Sequence, residues 1–382
     1  MITNDIKYVG VNDHEIDLFE GQYDVPCGMS YNSYVVVDEK IAVMDSVDIR
    51  FADEWVGRVR AAIGDRSPDY LVVQHMEPDH SSSIMEFTKA FPNVTLVASA
   101  KAFLMMRGFF GTEFSDKRIV VGEGSTLSLG RHELMFITAP MVHWPEVIVS
   151  YDSLDRVLFS ADAFGKFGAL DYDDEWECEA RRYYFGIVGK YGTQVQALLK
   201  KAAALDIQII CPLHGPVLSE NIDHYVGLYD TWSAYRPETS GVCIAYTSVY
   251  GNTKAAAELL AYELEARGVK VAISDLARCD MHEAVEDAFR YDRLVLATTT
   301  YNGDVFPFMK EFIDHLTERN YQNRRVAFIE NGSWAPMATK VMMGMLENSK
   351  NLAYAENTVR ITSALNEQSR AELSALAEEF SK

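Results

Sequence analysis

The run His75-Met76-Glu77-Pro78-Asp79-His80 limits what this chain can fold into more than any other stretch. Four side chains able to ligate a metal fall within six residues. Burying Glu77 beside Asp79 without a cation would set two like charges against each other. The alternation His75, Glu77, Asp79 lets a loop past a strand end curl its side chains round one point. His80, next to Asp79, points elsewhere and can serve a second ion. Three more candidates follow: His143 in Met141-Val142-His143-Trp144, Asp162 in Phe159-Ser160-Ala161-Asp162, and His214 in Cys211-Pro212-Leu213-His214-Gly215. Seven imidazoles and carboxylates are too many for one closed tetrahedral zinc. They suit two ions, with Asp162, which arrives from a separate strand, as the bridge. A donor set of carboxylates and imidazoles without thiolate suits iron or manganese as well as zinc. His14, His132, His224, His282 and His315 have no such motif around them and read as ordinary satisfied polar residues.

A second, unrelated signal lies downstream. Strand Val242-Cys243-Ile244-Ala245-Tyr246 runs into Thr247-Ser248-Val249-Tyr250-Gly251-Asn252-Thr253, and a helix is expected from Thr253. Hydroxyls and backbone N–H groups at a helix start neutralise phosphate without lysine, and Gly251 permits a close backbone approach. The spacing matches neither a GxGxxG turn nor a Walker loop. Two later loops follow strands in the same way. One contains Thr300, Tyr301, Asn302 and Gly303; the other contains Asn331, Gly332, Ser333, Trp334 and Ala335. Ligands bind outside the carboxyl ends of the strands in doubly wound sheets. Tyr301 and Trp334 could cover a flavin ring by offset stacking.

A polar, proline-containing break at Tyr235-Arg236-Pro237-Glu238-Thr239-Ser240 divides the chain. Domains are expected at 1–238 and 239–382. In the first, strands are expected at 34–37, 41–44, 70–74, 94–97 and 207–210, with several more between 118 and 159. Helices are expected near 51–63, 84–91, 102–109 and 194–204. The last of these puts Val195, Leu198, Leu199 and Ala202 on one face. The second domain alternates strand and helix: strands near 242–246, 269–273, 294–297, 326–329 and 359–361, and a final helix over 368–380. That alternation means a parallel, doubly wound sheet. The net charge of −21 argues against nucleic acid and anionic membrane as partners. The first residues, Met1-Ile2-Thr3-Asn4-Asp5, lack the pattern of a signal peptide, and no apolar run is long enough to span a bilayer. Five scattered cysteines without a CxxC pair fit a reducing, cytoplasmic setting and leave no iron site of the rubredoxin type.

The order His-x-Glu-x-Asp-His, His143, Asp162, His214 resembles the metallo-β-lactamase fold. Hydrolytic zinc members of that fold carry His where this chain has Glu77. The Glu form resembles the flavodiiron proteins, or A-type flavoproteins. The resemblance implies an α/β chain: an αββα sandwich with a non-haem diiron centre, followed by a flavodoxin-like domain that binds FMN. It assigns His75, Glu77 and His143 to one iron, Asp79, His80 and His214 to the other, and Asp162 to both. Gly28 to Tyr34 resembles the family's N-terminal strand entry. Arg181-Arg182-Tyr183-Tyr184 and Tyr191 resemble the segment lining its diiron pocket, and Tyr191 is expected to donate a proton or hydrogen bond to a bound diatomic. The implied activity is reduction of O2 to water, of NO to N2O, or both, detoxifying an anaerobe-type cytoplasm. The implied assembly is a head-to-tail homodimer or a dimer of dimers. With no rubredoxin or flavin reductase segment after Lys382, the expected donor is external, a rubredoxin-like protein or a flavin reductase. Two other readings are a dinuclear zinc hydrolase fused to a flavodoxin-like module, and an electron carrier with a degenerate metal domain.

Overall fold

The computed structural model describes residues 2–173 and 175–382; Met1, at the start of the stretch expected to carry no signal peptide, lies outside them. The chain forms two compact units, residues 1–184 with 193–230, and residues 185–192 with 231–382.

Two mixed sheets make up the first unit. In one, strands Ile6–Tyr8, Tyr34–Val37, Ile41–Met44, Tyr70–Val73, Thr95–Ser99 and Arg118–Val121 lie side by side in that order. The other runs Thr126–Ser128, Glu133–Thr138, Ile148–Asp152, Val157–Phe159 and Ile209–Cys211. The period of two along each strand sorts side chains to opposite faces. Tyr34, Val36, Ala42, Met44, Val72 and Val97 therefore meet Leu134, Phe136, Ile148, Val157 and Phe159 in one core between the sheets. Helices cover the outer faces, which makes the layer order αββα. Helix Ala52–Ile63 buries Ala52, Trp55, Val59 and Ile63, a helical stripe, and stops at Gly64 with φ +65°. Helix Ala100–Phe110 starts on Ser99, whose side chain accepts from Ala102 N–H, and ends at Gly111 with φ +72°. On the second sheet Ile137, Val149 and Leu158 alternate with the inner residues and face helix Gly192–Ala202.

In the second unit the strands Val271–Asp275, Thr239–Tyr246, Tyr291–Tyr301 and Arg325–Asn331 are neighbours in that order. Ala353–Tyr354 and Val359–Ile361 pair with Arg325–Asn331, and all of these pairings are parallel. This is the doubly wound order in which the chain reverses direction between its first and third strands. Helix Asn252–Glu265 buries Ala257, Leu260, Ala261 and Leu264, the expected stripe. Helix Glu367–Glu379 opens with a reciprocal cap between Asn366 and Ser369. Helices Ile222–Ser233, Met281–Arg290, Pro307–Glu318 and Ala338–Met345 were not among the sequence expectations. No helix among the described residues is long and apolar enough to cross a membrane.

Candidate metal centre and flavin cleft

Strand Tyr70–Val73 delivers His75 at its carboxyl end, and the chain then turns into the short helix Pro78–Ser81, which carries Asp79 and His80. His143 comes from the loop after Glu133–Thr138, Asp162 from the loop after Val157–Phe159, and His214 from the loop after Ile209–Cys211. All seven expected ligands converge, in two groups: His75, Glu77, His143 and Asp162 in one, Asp79, His80 and His214 in the other. In the first, His143 Nε2 lies 3.0 Å from both Glu77 Oε2 and Asp162 Oδ2. His75 Nε2 lies 3.3 Å from Glu77 Oε2 and 3.2 Å from Asp162 Oδ2. In the second, the Nε2 atoms of His80 and His214 are 3.0 Å apart, and each lies 3.3 Å from Asp79 Oδ2. The other oxygen of Asp162, Oδ1, is 3.3 Å from His80 Nε2 and 3.9 Å from His214 Nε2. One carboxylate thus turns an oxygen to each group.

Neighbouring side chains fix the rings. His75 Nδ1–H donates to Glu146 Oε1 at 2.9 Å, and His214 Nδ1–H donates to the Ser30 carbonyl at 2.7 Å. Both leave Nε2 with its lone pair directed into the cluster, the arrangement that orients histidine ligands. Asn32 donates to the Pro212 and Gly215 carbonyls at 2.8 and 2.7 Å and holds the His214 loop. Asp45, at φ +55°, accepts from Gln74 N–H at 2.7 Å and from His75 N–H at 3.3 Å. A Cβ at Gly165 would stand 2.9 Å from the Asp162 carbonyl and 3.4 Å from His214 Cβ, so that turn closes only around glycine.

The electrostatics ask for cations. Burial opposes charge on His75, His80 and His143, yet Asp162, Asp79, Glu77 and Glu146 outweigh it and raise all three, His143 to about 9. Burial likewise opposes the charges on Glu77 and Asp162, and the histidines hold both below the usual carboxylate range. Even so, both oxygens of Asp79 and Oδ1 of Asp162 are buried without a hydrogen-bond partner. Orphaned acceptors of this kind are costly unless an ion satisfies them. The oxygen and nitrogen donors therefore fit a pair of transition-metal cations.

Sequence reasoning passed over Glu146, Asp45 and Glu20 here. Glu146 lies three residues after His143, and Asp45 one residue after a strand end; neither carries a motif. Tyr183 is fully buried with its ring 5.5 Å from that of His214. Tyr191 lies on the short turn Gly189–Tyr191, grouped with the second unit. Glu20, on the ribbon Leu18–Phe19 and Tyr23–Asp24, shares a hydrogen bond with Glu77; desolvation and the Glu77 charge push its carboxyl up to about 7. The five histidines read as ordinary polar residues have protein partners. His14 meets Asp171, His132 meets Asp152, His224 meets Glu177, His282 meets Asp280 and His315 meets Arg319.

In the second unit a cleft of about 630 Å³ opens at the carboxyl ends of the strands, a volume within the roughly 300–1,000 Å³ of small-molecule sites. Ser248, Val249, Tyr250, Asn252 and Thr253 line it, with Thr300 to Gly303 and Asn331 to Ala335. Thr247 and Gly251 do not border it. Thr247 is buried, its hydroxyl 2.6 Å from that of Thr298, and Gly251 takes φ +91° and donates to Ser248 Oγ. Thr299, Met337 and Ser363 join the lining unexpectedly. Helix Asn252–Glu265 starts with no side-chain cap and no acidic residue in its first turn, so its first N–H groups remain available to a phosphate. Tyr250 and Trp334 are 92% and 82% exposed at the rim. Large rings left in solvent beside a cleft mark a place for a flat apolar ligand, and the features together fit FMN.

Residues 29–215 match the family description "ODP family beta lactamase", and residues 243–367 match "Flavodoxin domain". The anaerobic nitric oxide reductase flavorubredoxin of Salmonella arizonae is 29% identical over 364 residues, 91% of this chain and 75% of that protein. The chain belongs to the flavodiiron protein family. The fold of this flavodiiron protein superposes on rubredoxin oxygen:oxidoreductase from Desulfovibrio gigas with a TM-score of 0.92 at 24% identity, covering 100% of this chain and 97% of that one. The flavodiiron protein of Giardia intestinalis gives 0.91 at 24% identity, covering 99% and 96%. Both expected folds, the αββα sandwich and the flavodoxin-like sheet, are present. The zinc hydrolase reading is not favoured.

Proposed function

We propose that this flavodiiron protein reduces oxygen, nitric oxide or both, with FMN and two iron ions as cofactors and an external carrier as donor. The observation that carries the reading is the division of seven converging ligands into two groups that share only Asp162. His75, Glu77 and His143 would hold one iron, Asp79, His80 and His214 the other, and Asp162 both. When bound, FMN would supply single-electron transfer, and the two irons an open place for reduction of the diatomic. The protein's own part is mostly electrostatic and geometric. Three carboxylates, Glu77, Asp79 and Asp162, offset cationic charge in a buried place, and Glu146 and Ser30 keep two imidazoles in one tautomer. Tyr183 stays protonated, because burial and then the nearby carboxylates push its phenol well above the ordinary value. We give it, rather than Tyr191, the role of hydrogen-bond donor to a bound diatomic.

In the second domain the loop from Ser248 to Thr253 would hold the FMN phosphate. Thr300 to Gly303 and Asn331 to Ala335 would flank the ring. We keep domain limits of 1–238 and 239–382, a cytoplasmic location, and a head-to-tail homodimer or dimer of dimers. The named relatives support O2 or NO as substrate and a rubredoxin-type donor. The test is anaerobic: the purified, fully loaded protein is reduced and offered O2 and NO in parallel. Consumption of at least one, with water or N2O as product, is expected. Consumption of neither would overturn the proposal.

A further inference from the structure

The outer face of the second sheet and helix Gly192–Ala202 do not close fully on each other. Ile137, Val149 and Leu158 from the sheet, Val195 and Leu198 from the helix, and Phe164 line a cavity of about 20 Å³. On that measure roughly 10–15 Å³ holds one water, so the space accepts one small molecule. Water has little to gain there. Ser160 Oγ already donates to the Ala163 carbonyl at 2.7 Å, and Tyr229 Oη already accepts from Phe164 N–H at 2.6 Å. The rest of the lining is hydrocarbon. Apolar voids of this sort stay dry and take up apolar guests, because a guest restores the dispersion contacts that the gap forfeits.

The position of the cavity gives it meaning. Ser160 to Phe164 form a bent turn in which Ala161 and Phe164 take φ of +51° and +67°. Asp162 sends its carboxylate from this turn into the metal cluster, while Ser160, Ala163 and Phe164 border the cavity. One short turn therefore walls the cavity and supplies the carboxylate common to both ligand groups.

We propose that this cavity is a binding site for a single apolar diatomic gas, held beside the metal cluster. Its occupancy depends on size and polarity alone. Its role, raising the gas concentration next to the irons, rests on the reductase reading above.

Xenon is the probe. Crystals of the whole protein under xenon pressure, and xenon NMR of the protein in solution, should both report one site bounded by Val149, Leu158 and Val195. Val149→Leu and, separately, Val195→Leu fill the space with one added methylene each, so a failure of one variant to fold leaves the other. Either should abolish the xenon signal and raise KM for the gas several-fold, with kcat, iron content and FMN content unchanged. Absence of xenon from the parent protein would overturn the site. Loss of xenon in a folded variant with KM unchanged would overturn the role and leave a packing void. A parent that binds xenon but reduces neither gas would refute the reductase reading while the site stands.

Discussion

Replacing Glu146 tests the orientation of a ligand without touching the ligand itself. One oxygen of this buried carboxylate accepts two hydrogen bonds, from His75 Nδ1–H and from Met76 N–H, each 2.9 Å long. The first commits the proton to Nδ1 and leaves Nε2 3.2 Å from Asp162 Oδ2 as a lone-pair donor. Partners that orient histidine ligands typically carry roughly 10–100-fold in metal affinity, which is about 1.4–2.7 kcal/mol. Glu146→Ala also strands two buried donors, each at a cost of about 1–3 kcal/mol to the fold. Glu146→Gln keeps an acceptor oxygen but loses the charge, and it brings an amide NH2 to where Oε2 is buried without a partner. The expected order of iron affinity is therefore parent above Gln above Ala. Chelator competition with iron readout measures it, and flavin absorbance should show FMN loading unchanged in all three. An Ala variant that bound iron as tightly as the parent would mean that the Glu146 contact does not set the His75 tautomer, and that the ligand geometry holds without it.

Three other outcomes are expected. Asp162→Ala should empty both metal positions and leave FMN bound; iron at parental stoichiometry by elemental analysis would remove Asp162 from the bridge. Trp334→Ala and Tyr301→Ala should each shift FMN affinity or the flavin potential, and a titration identical to that of the parent would take that ring out of the site. His132 gives a pH signature. Burial opposes its charge, but Asp152 and Asp5, 3.0 and 3.3 Å from its two ring nitrogens, hold it above the ordinary 6.5. The stabilisation is thus complete below about pH 6.5 and is lost as pH rises through the raised value. The gap in urea midpoint between parent and His132→Gln should narrow above that pH; a gap constant from acid to alkaline pH would contradict the assignment.

Most of the site was legible because chemistry and local sequence coincide there. His75, Glu77, Asp79 and His80 stand within one strand end and one turn, and their types alone demand a cation. The cleft loops were legible for a similar reason, since hydroxyls, glycine and aromatics after a strand have few other uses. Several helices went unread, Trp176–Tyr183 included. Among them, Met281–Arg290 carried the usual signals, an Asp280 cap and a buried stripe through Ala284, Val285, Ala288 and Phe289. Glu146, Asn32 and Gly165 were invisible for another reason. A glutamate after a proline, an asparagine in a strand entry and a glycine in a turn have no functional type of their own. Each acquires its role from what stands opposite: an imidazole nitrogen, two carbonyls, a histidine Cβ.

The sequence by itself determined which atoms could ligate, that no thiolate would be among them, and that the second half would alternate strand and helix. Those properties reside in side-chain types and in periods of two or 3.6 residues, which neighbours along the chain define. Only the tertiary structure decided that Asp162 would present one oxygen to each ligand group, that Thr247 would turn inward, and that Tyr183 would be the phenol against His214. Such pairings join residues far apart in the chain, 134 positions for His80 and His214. Their distances are set by how two sheets stack and where each loop leaves them, which no local pattern encodes.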